Sequence, residues 1–558
     1  MKIRSLFVYS LLFIYYSQPL FAQISSKELE KEADKFFEKT HNKTSPGTAI
    51  VVVKDGKVVL NKGYGLANME HQIPVTPRTV FDIASVSKQF AAFAIAMLVE
   101  QKKLALNDDV RKYIPELPNF GHTITIGHLV HHTSGIRDWT STLPLRGVLF
   151  DDVISFDQIL RMAYQQKELN FVPGSEYSYS NTGYNLLVEV IQRVTKQSFR
   201  QWTDKHIFKP LGMTHTHFSD NYEEVIAQKA LSYARNRSGK YRVRTNQLTA
   251  LGSSSLHTTT TDMAKWLINL DNPKIGGEAV NKRMFEQVKL NNGKQSSYAF
   301  GLDVDEIWGA KRADHSGSWA AFQTYMVHFP EHRLSLAVFS NHQANPWRIA
   351  LRIAKWYIKG VRPGTKSAKK DKKTPAKKSI TLSKEALDKY VGMYRFGAAW
   401  YVTITREGDQ LMTQATNEDK FPMTPTASGE FWVPAYRSAM VFKKDATGKI
   451  NRVHYRGKDR LKMKPAPKLT PERMATLVGR YWSEELQTAY EVIKKEGKLY
   501  LLHFRHGQLE LTQAWNDDFS NGKWFLRSVQ FERNAQGKAT GFRVTNHRAR
   551  NQLFAKVK

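Results

Sequence analysis

The chain has no cysteine in its 558 residues. That excludes disulfide staples, a thiolate nucleophile and every metal site built on thiolates. Beyond the first 22 residues, no apolar run approaches the roughly 20 residues that a membrane-spanning helix needs. There is no Gly-x-Ser-x-Gly elbow and no His-Glu-x-x-His, which removes the nucleophile elbow of α/β-hydrolases and the usual zinc-peptidase helix. Zinc-finger spacing, an RNP-type strand and a basic helix are also missing. The formal net charge of +32 therefore reads as a basic, solvated surface suited to anionic envelope polymers, and no nucleic-acid partner is expected. What is present, 41% hydrophobic and 24% charged residues, suits a folded protein of more than one domain.

Lys2 and Arg4 precede an apolar run from Leu6 to Tyr16, and Pro19 and Ala22 then precede Gln23. This pattern predicts an export signal over residues 1–22 and a periplasmic or secreted protein with no span left after its removal. Seven lysines with Pro, Ser and Thr between Gly364 and Lys378 cannot bury a face and repel one another. They predict an extended linker over 363–380, which separates a domain at 23–362 from two β repeats at 381–466 and 467–558. The repeats are read from Tyr390-Val-Gly-Met-Tyr394 against Leu477-Val-Gly-Arg-Tyr481, Arg406-Glu-Gly408 against Lys495-Glu-Gly497, Phe442 against Phe531, and Gly448 against Gly537. The separations are 87, then 89 three times, so a two-residue insertion aligns the copies. Alternation such as Trp400, Val402, Ile404 before Gly408 predicts antiparallel meanders in small barrels.

Within 23–362, Thr48–Val53 and Val58–Leu60 flank Asp55-Gly56, a hairpin signal. Phe90, Phe93, Ala94, Met97 and Leu98 form the stripe of a core-facing helix from about Ser87. Thr324–Phe329 and Leu334–Phe339 predict a second hairpin around Pro330-Glu-His332, and Pro346–Ile358 a final helix. Strands at both ends with helices between predict an α+β domain with an antiparallel sheet built from the two termini and flanking helices.

Three short motifs carry chemistry. Ser85-Val-Ser-Lys88 opens the first helix, where one turn brings the amine back toward the hydroxyl. A buried, partly neutral lysine can activate a serine. The motif alone is weak: about one or two are expected by chance in a chain this long, and Ser367-Ala-Lys-Lys370 matches it inside the linker. Tyr179-Ser-Asn181 precedes a helix marked by Leu187, Val190, Ile191 and Val194; a phenol can relay a proton, and an amide can orient lysine and substrate. His315-Ser316-Gly317-Ser318 supplies a glycine that lets substrate approach a strand edge, and a Ser318 N–H for an oxyanion hole with that of Ser85. His128, His131 and His132 project to different faces of one element, so metal binding is not expected.

The three motifs in this order resemble the class C β-lactamase, DD-peptidase and esterase superfamily of serine hydrolases. Ile124–Gly135, Pro173-Gly174 and Thr258–Leu267 resemble it as well, and the resemblance spans about residues 40–358. The C-terminal repeats are similar to the lipocalin-like β domains of some members. The resemblance implies acyl transfer through Ser85 to a small-molecule or peptide substrate. Lys88 and Tyr179 would share the proton, Asn181 would position Lys88 and substrate, His315 would hold Tyr179 and the substrate end, and the N–H groups of Ser85 and Ser318 would bind the oxyanion. No metal or cofactor is implied. β-Lactamases of this kind carry lysine at the position of His315, so peptide, amide or ester hydrolysis ranks above a true β-lactamase. A non-catalytic penicillin-binding sensor is the third reading.

Overall fold

A computed structural model describes residues 24–38, 41, 44–358, 379–416, 418–464, 466–467 and 469–557. The expected export signal, 1–22, lies outside the described residues, as does most of the expected linker, 363–378.

One six-stranded antiparallel sheet organises the first domain, in the order Asp303–Ile307, Ala310–Trp319, Phe322–Phe329, Leu334–Ser340, Thr48–Lys54, Lys57–Tyr64. The two ends of the domain meet in its middle, where Thr48 pairs with Ser340 and Lys54 with Leu334. Thr48–Lys54 alternates between two cores. Ala49, Val51 and Val53 join the large core with the inner helices. Ile50 and Val52 join a second core with Leu29, Phe37, Ile349 and Ile353, from the helices Ser26–Glu38 and Pro346–Ala354. This is the α+β architecture that the sequence predicts.

The first inner helix, Lys88–Glu100, is more buried than its stripe suggests. Every residue from Lys88 to Ala96 is buried, because the helix runs through the large core against Asn181–Thr195 on one side and Gly277–Arg283 on another. Alanines at 91, 92 and 96 make close approach possible on the faces the stripe leaves out.

The C-terminal region forms two closed eight-stranded barrels, Gly392 to Met463 and Gly479 to Lys556. The repeated motif explains their common start. Tyr394 donates its hydroxyl to the carbonyl of Tyr390 at 2.9 Å, and Tyr481 donates to that of Leu477 at 2.7 Å. Closure pairs first and last strands and leaves no open sheet edge. Among the described residues, no helix is long and apolar enough to cross a membrane.

The second barrel is docked onto the first domain. Leu145 of the first domain inserts into that barrel's apolar core, and Tyr490 donates to its carbonyl. Arg137 Nη1 donates to both carboxylate oxygens of Glu485 at 2.6 Å, while Nε and Nη2 donate to the carbonyl of Arg550. Both charged side chains are nearly inaccessible, 1% and 7% exposed. The first barrel leans on the second instead: Tyr401 donates to Asp518 at 2.8 Å. Glu485→Ala would strand a buried guanidinium, and a loss of roughly 3–5 kcal/mol is expected. Urea unfolding followed by tryptophan fluorescence measures it; an unchanged first transition would contradict this role for the pair.

Candidate active site

The loop that presents Ser85 is held before the helix begins. Asp82, buried, accepts from the backbone N–H of Ala84 at 2.7 Å and from Asn246 at 2.8 Å. Ser87 donates its hydroxyl to the Ala84 carbonyl at 2.5 Å. Ala84 takes a φ of +48°, a left-handed conformation that costs a non-glycine residue about 1 kcal/mol or more and is found often at functional sites. The single turn Ala84–Ser87 then feeds the helix at Lys88.

Lys88 is fully buried. Its Nζ lies 3.1 Å from Ser85 Oγ, 2.7 Å from Asn181 Oδ1 and 2.6 Å from the carbonyl of Ser253. Burial holds the amine well below the usual lysine range. Asn181 is the first residue of the Asn181–Thr195 helix, capped by Ser180, whose hydroxyl accepts from the N–H of Gly183. Tyr179 just precedes that cap. Its ring centroid is 4.8 Å from Lys88 Nζ, and burial raises its phenol well above the ordinary value, opposed by the neighbouring Ser85 hydroxyl.

His315 sits on the strand Ala310–Trp319, just past the point where pairing with Asp303–Ile307 ends at Asp314. Its Nδ1 is 2.6 Å from the carbonyl of Ser316, which can only accept, so Nδ1 carries the proton and Nε2 accepts from Tyr298 at 3.0 Å. Burial, with Lys88 adding to it, pushes this imidazole down to about 3. The resemblance implies that His315 holds Tyr179. The structure gives it ring contact only, at 6.0 Å between centroids, because both nitrogens are committed elsewhere.

Ser316 and Ser318 are exposed and line the cleft, with Ser318 accepting from Gln323 at 2.8 Å. Gly317 faces the other way. A Cβ there would fall 2.2 Å from Thr324 Oγ1 and 2.4 Å from the carbonyl of Ile83. The missing side chain makes room for the Ser85 turn rather than for substrate.

The cleft has a volume of about 930 Å³ and brings Ser85, Tyr179, Asn181, His315, Ser316 and Ser318 together. One wall is aromatic: Phe150 stacks on Trp524 at 5.8 Å and meets Trp319 at 5.5 Å. Trp524 and the hairpin carrying His547, Arg548 and Arg550 come from the second barrel. The three central histidines of the first domain divide their roles. His128 completes a helix cap with Thr125, His131 meets the carbonyl of Tyr298, and His132 accepts from the N–H of Ser180 at 3.1 Å. His132 also lies against Tyr179 and Tyr298 at 4.3 and 4.4 Å. Sequence reasoning missed Asp138, Ser253, Tyr298 and Arg548. Of these, only Asp138 lay beside a stretch already singled out, three residues past Gly135.

Residues 33–355 match the model of the Beta-lactamase family, and the chain belongs to that family. Residues 376–468 match a domain of unknown function, DUF3471. The chain is 28% identical over 301 residues to a D-aminopeptidase of Gluconobacter oxydans (strain 621H), covering 54% of this chain and 56% of that protein. It is 32% identical over 305 residues to Protein flp of Staphylococcus aureus (strain MRSA252), covering 53% and 59%. These alignments thus span little more than half of either relative. Its fold is similar to that of the octameric penicillin-binding protein homologue from Pyrococcus abyssi, with a TM-score of 0.53, 21% identity, and coverage of 86% of this chain and 99% of that one.

Gly317→Ala would force the strand off the Ser85 turn. A stability loss of about 1–3 kcal/mol is expected, together with weaker reaction of Ser85 with a fluorophosphonate. Thermal melting and the labelling rate check this; a variant equal to the parent in both would show that the close approach is not needed.

Proposed function

We propose that this protein is an exported serine hydrolase acting through an acyl-enzyme on a peptide, amide or ester bond. Peptides and amides of D-amino acids are its leading substrate class. The observation that carries the reading is a fully buried amine 3.1 Å from the Ser85 hydroxyl, held below the usual lysine range by that burial. A neutral amine has two N–H bonds, which Asn181 Oδ1 and the Ser253 carbonyl take up, leaving the lone pair for Ser85.

Ser85 Oγ attacks the carbonyl carbon while its proton passes to Lys88 Nζ. The oxyanion is assigned to the N–H groups of Ser85 and Ser318. Tyr179, kept as a phenol by burial, gives its proton to the leaving nitrogen or oxygen and regains one from Lys88. Water then attacks the ester, its proton moves to Lys88, and the expelled Ser85 recovers a hydroxyl. Lys88 returns that proton to Ser85 Oγ, so protons balance over the cycle with water as the co-reactant.

The name of the Gluconobacter oxydans relative supports D-amino-acid substrates, and the aromatic wall suits an apolar side chain. A β-lactamase is disfavoured because the neutral His315 attracts a substrate carboxylate weakly. The mutual contacts of Ser85, Lys88 and Asn181 speak against a non-catalytic sensor.

A fluorophosphonate is expected to leave one adduct, mapped by peptide mass to Ser85. Ser85→Ala should abolish it and lower hydrolysis of a D-alanyl anilide at least about a thousandfold. An unchanged rate would end the proposal, and faster turnover of a cephalosporin than of D-amino-acid substrates would favour the β-lactamase reading. Export predicts that the mature protein starts at Gln23; N-terminal sequencing from the native host checks it, and an intact Met1 would contradict it.

A further inference from the structure

The second barrel reaches the reacting groups through one hairpin, Asn546–Asn551, between the strands Ala539–Thr545 and Gln552–Lys556. First-domain groups hold it at several points. Asn546 donates to the carbonyl of Ser141 at 2.9 Å, the N–H of Asp138 and the amide of Asn170 donate to the carbonyl of Arg548, and the N–H of Arg550 donates to Asn170. Arg548 Nη1 then donates to Asp138 Oδ2 at 3.0 Å, and its guanidinium lies 4.7 Å from the ring centroid of Tyr179.

Asp138 is wholly buried and surrounded by donors. It accepts from the backbone and side-chain N–H groups of Asn181, from the N–H and hydroxyl of Thr140, and from Arg548. Every side-chain contact of this carboxyl is with a donor, the arrangement that suits its acceptor oxygens. The same Asn181 amide that donates to Asp138 accepts from Lys88 at 2.7 Å. One amide therefore separates a buried negative charge from the amine that must stay neutral.

We propose that Arg548 is a positioning residue that acts on Lys88 through Asp138 and Asn181: it balances the Asp138 charge, so that the amine remains free to take the Ser85 proton. This rests on the reading of Lys88 as the base. Among the described residues, the other groups facing Lys88 are neutral. Ser85 comes from its own turn, Ser253 offers a backbone carbonyl, and Tyr179 and Tyr184 lie 4.8 and 5.6 Å away. His132 and His315, across the site, are both held below the ordinary imidazole range by burial. Asp138 acts to raise the proton affinity of Lys88, against the larger effect of burial, and Arg548 acts to lower it, in the same direction as burial.

The sign follows. Without the guanidinium, the Asp138 charge favours the ammonium, so the free base forms only at higher pH. The test is the second-order rate of Ser85 labelling by a fluorophosphonate as a function of pH, on the full chain. Arg548→Met is expected to move the acidic limb upward by about one pH unit, which is about a tenfold loss at any pH below the limb, with the alkaline plateau kept. Arg548→Lys, which keeps a cation, should stay close to the parent. Asp138→Asn added to Arg548→Met should bring the limb back down.

A uniform loss at every pH in Arg548→Met, or no return in the double variant, would overturn the proposal. Should Arg548→Met not fold, Arg548→Gln beside Arg548→Lys decides it on the same readout: equal limbs overturn it, and an upward limb in Gln alone supports it. A parent that does not label at Ser85 would instead refute the underlying reading of Ser85 and Lys88, a different result from a parent that labels normally beside an Arg548→Met variant whose limb does not move.

Discussion

An amine withdrawn completely from water governs how the first domain is built. A buried ammonium without a counter-charge costs several kcal/mol, and among the described residues Lys88 has a hydroxyl, an amide oxygen and a backbone carbonyl in hydrogen-bond reach. Those acceptors satisfy two N–H bonds without supplying negative charge, so the balance favours the free base. Keeping water away demands packing on every side of the helix start. Gly301, at φ +73°, is part of that seal: a Cβ there would fall 2.6 Å from the backbone nitrogen of Gln89. The absence of a polar face from Lys88 to Ala96 follows from the same demand.

The surroundings extend this choice of neutral groups. His132, His315, Tyr179 and Tyr298 are all held in their uncharged forms by burial, and their rings pack against one another. A neutral imidazole has one donor and one acceptor, and both of His315's are already engaged. The cluster thus sets directions for hydrogen bonds rather than a field. In that setting a single carboxylate such as Asp138 weighs heavily, and Arg548, 3.0 Å away, is the cation that stands against it.

The two hairpins, the nucleophile helix and the barrel repeats were legible in the sequence because each is a local pattern: alternation, a Gly-containing turn, or a motif that recurs. Ser85, Lys88, Tyr179 and Asn181 were legible because short spacing on one element or at one helix start brings them into reach. The contacts that set their electrostatics were not. Tyr298 meets His315 from the segment before Asp303–Ile307, Ser253 offers only a backbone carbonyl, which has no residue signature, and Arg548 arrives from more than four hundred positions away in the chain. Gly317 was noticed for the right element and assigned the wrong neighbour, since a glycine in a strand does not say which of its faces is crowded.

The two barrels show where in a repeated architecture one such long-range contact sits. They share the corner tyrosine, and a lysine of the last strand lies over each: Lys462 over Tyr394 and Lys556 over Tyr481. Their final hairpins differ. The first copy turns in two residues, Arg456 and Gly457, whereas the second spends six, Asn546 to Asn551, between otherwise matching strands. A closed barrel tolerates added length in a hairpin because the strands, not the loop, carry its hydrogen bonding. The added residues hold Arg548 and Arg550, which meet Asp138 and Glu176 of the first domain. The copy docked against the first domain is thus the one with the longer loop, and the extra residues carry the two arginines that pair with that domain's carboxylates.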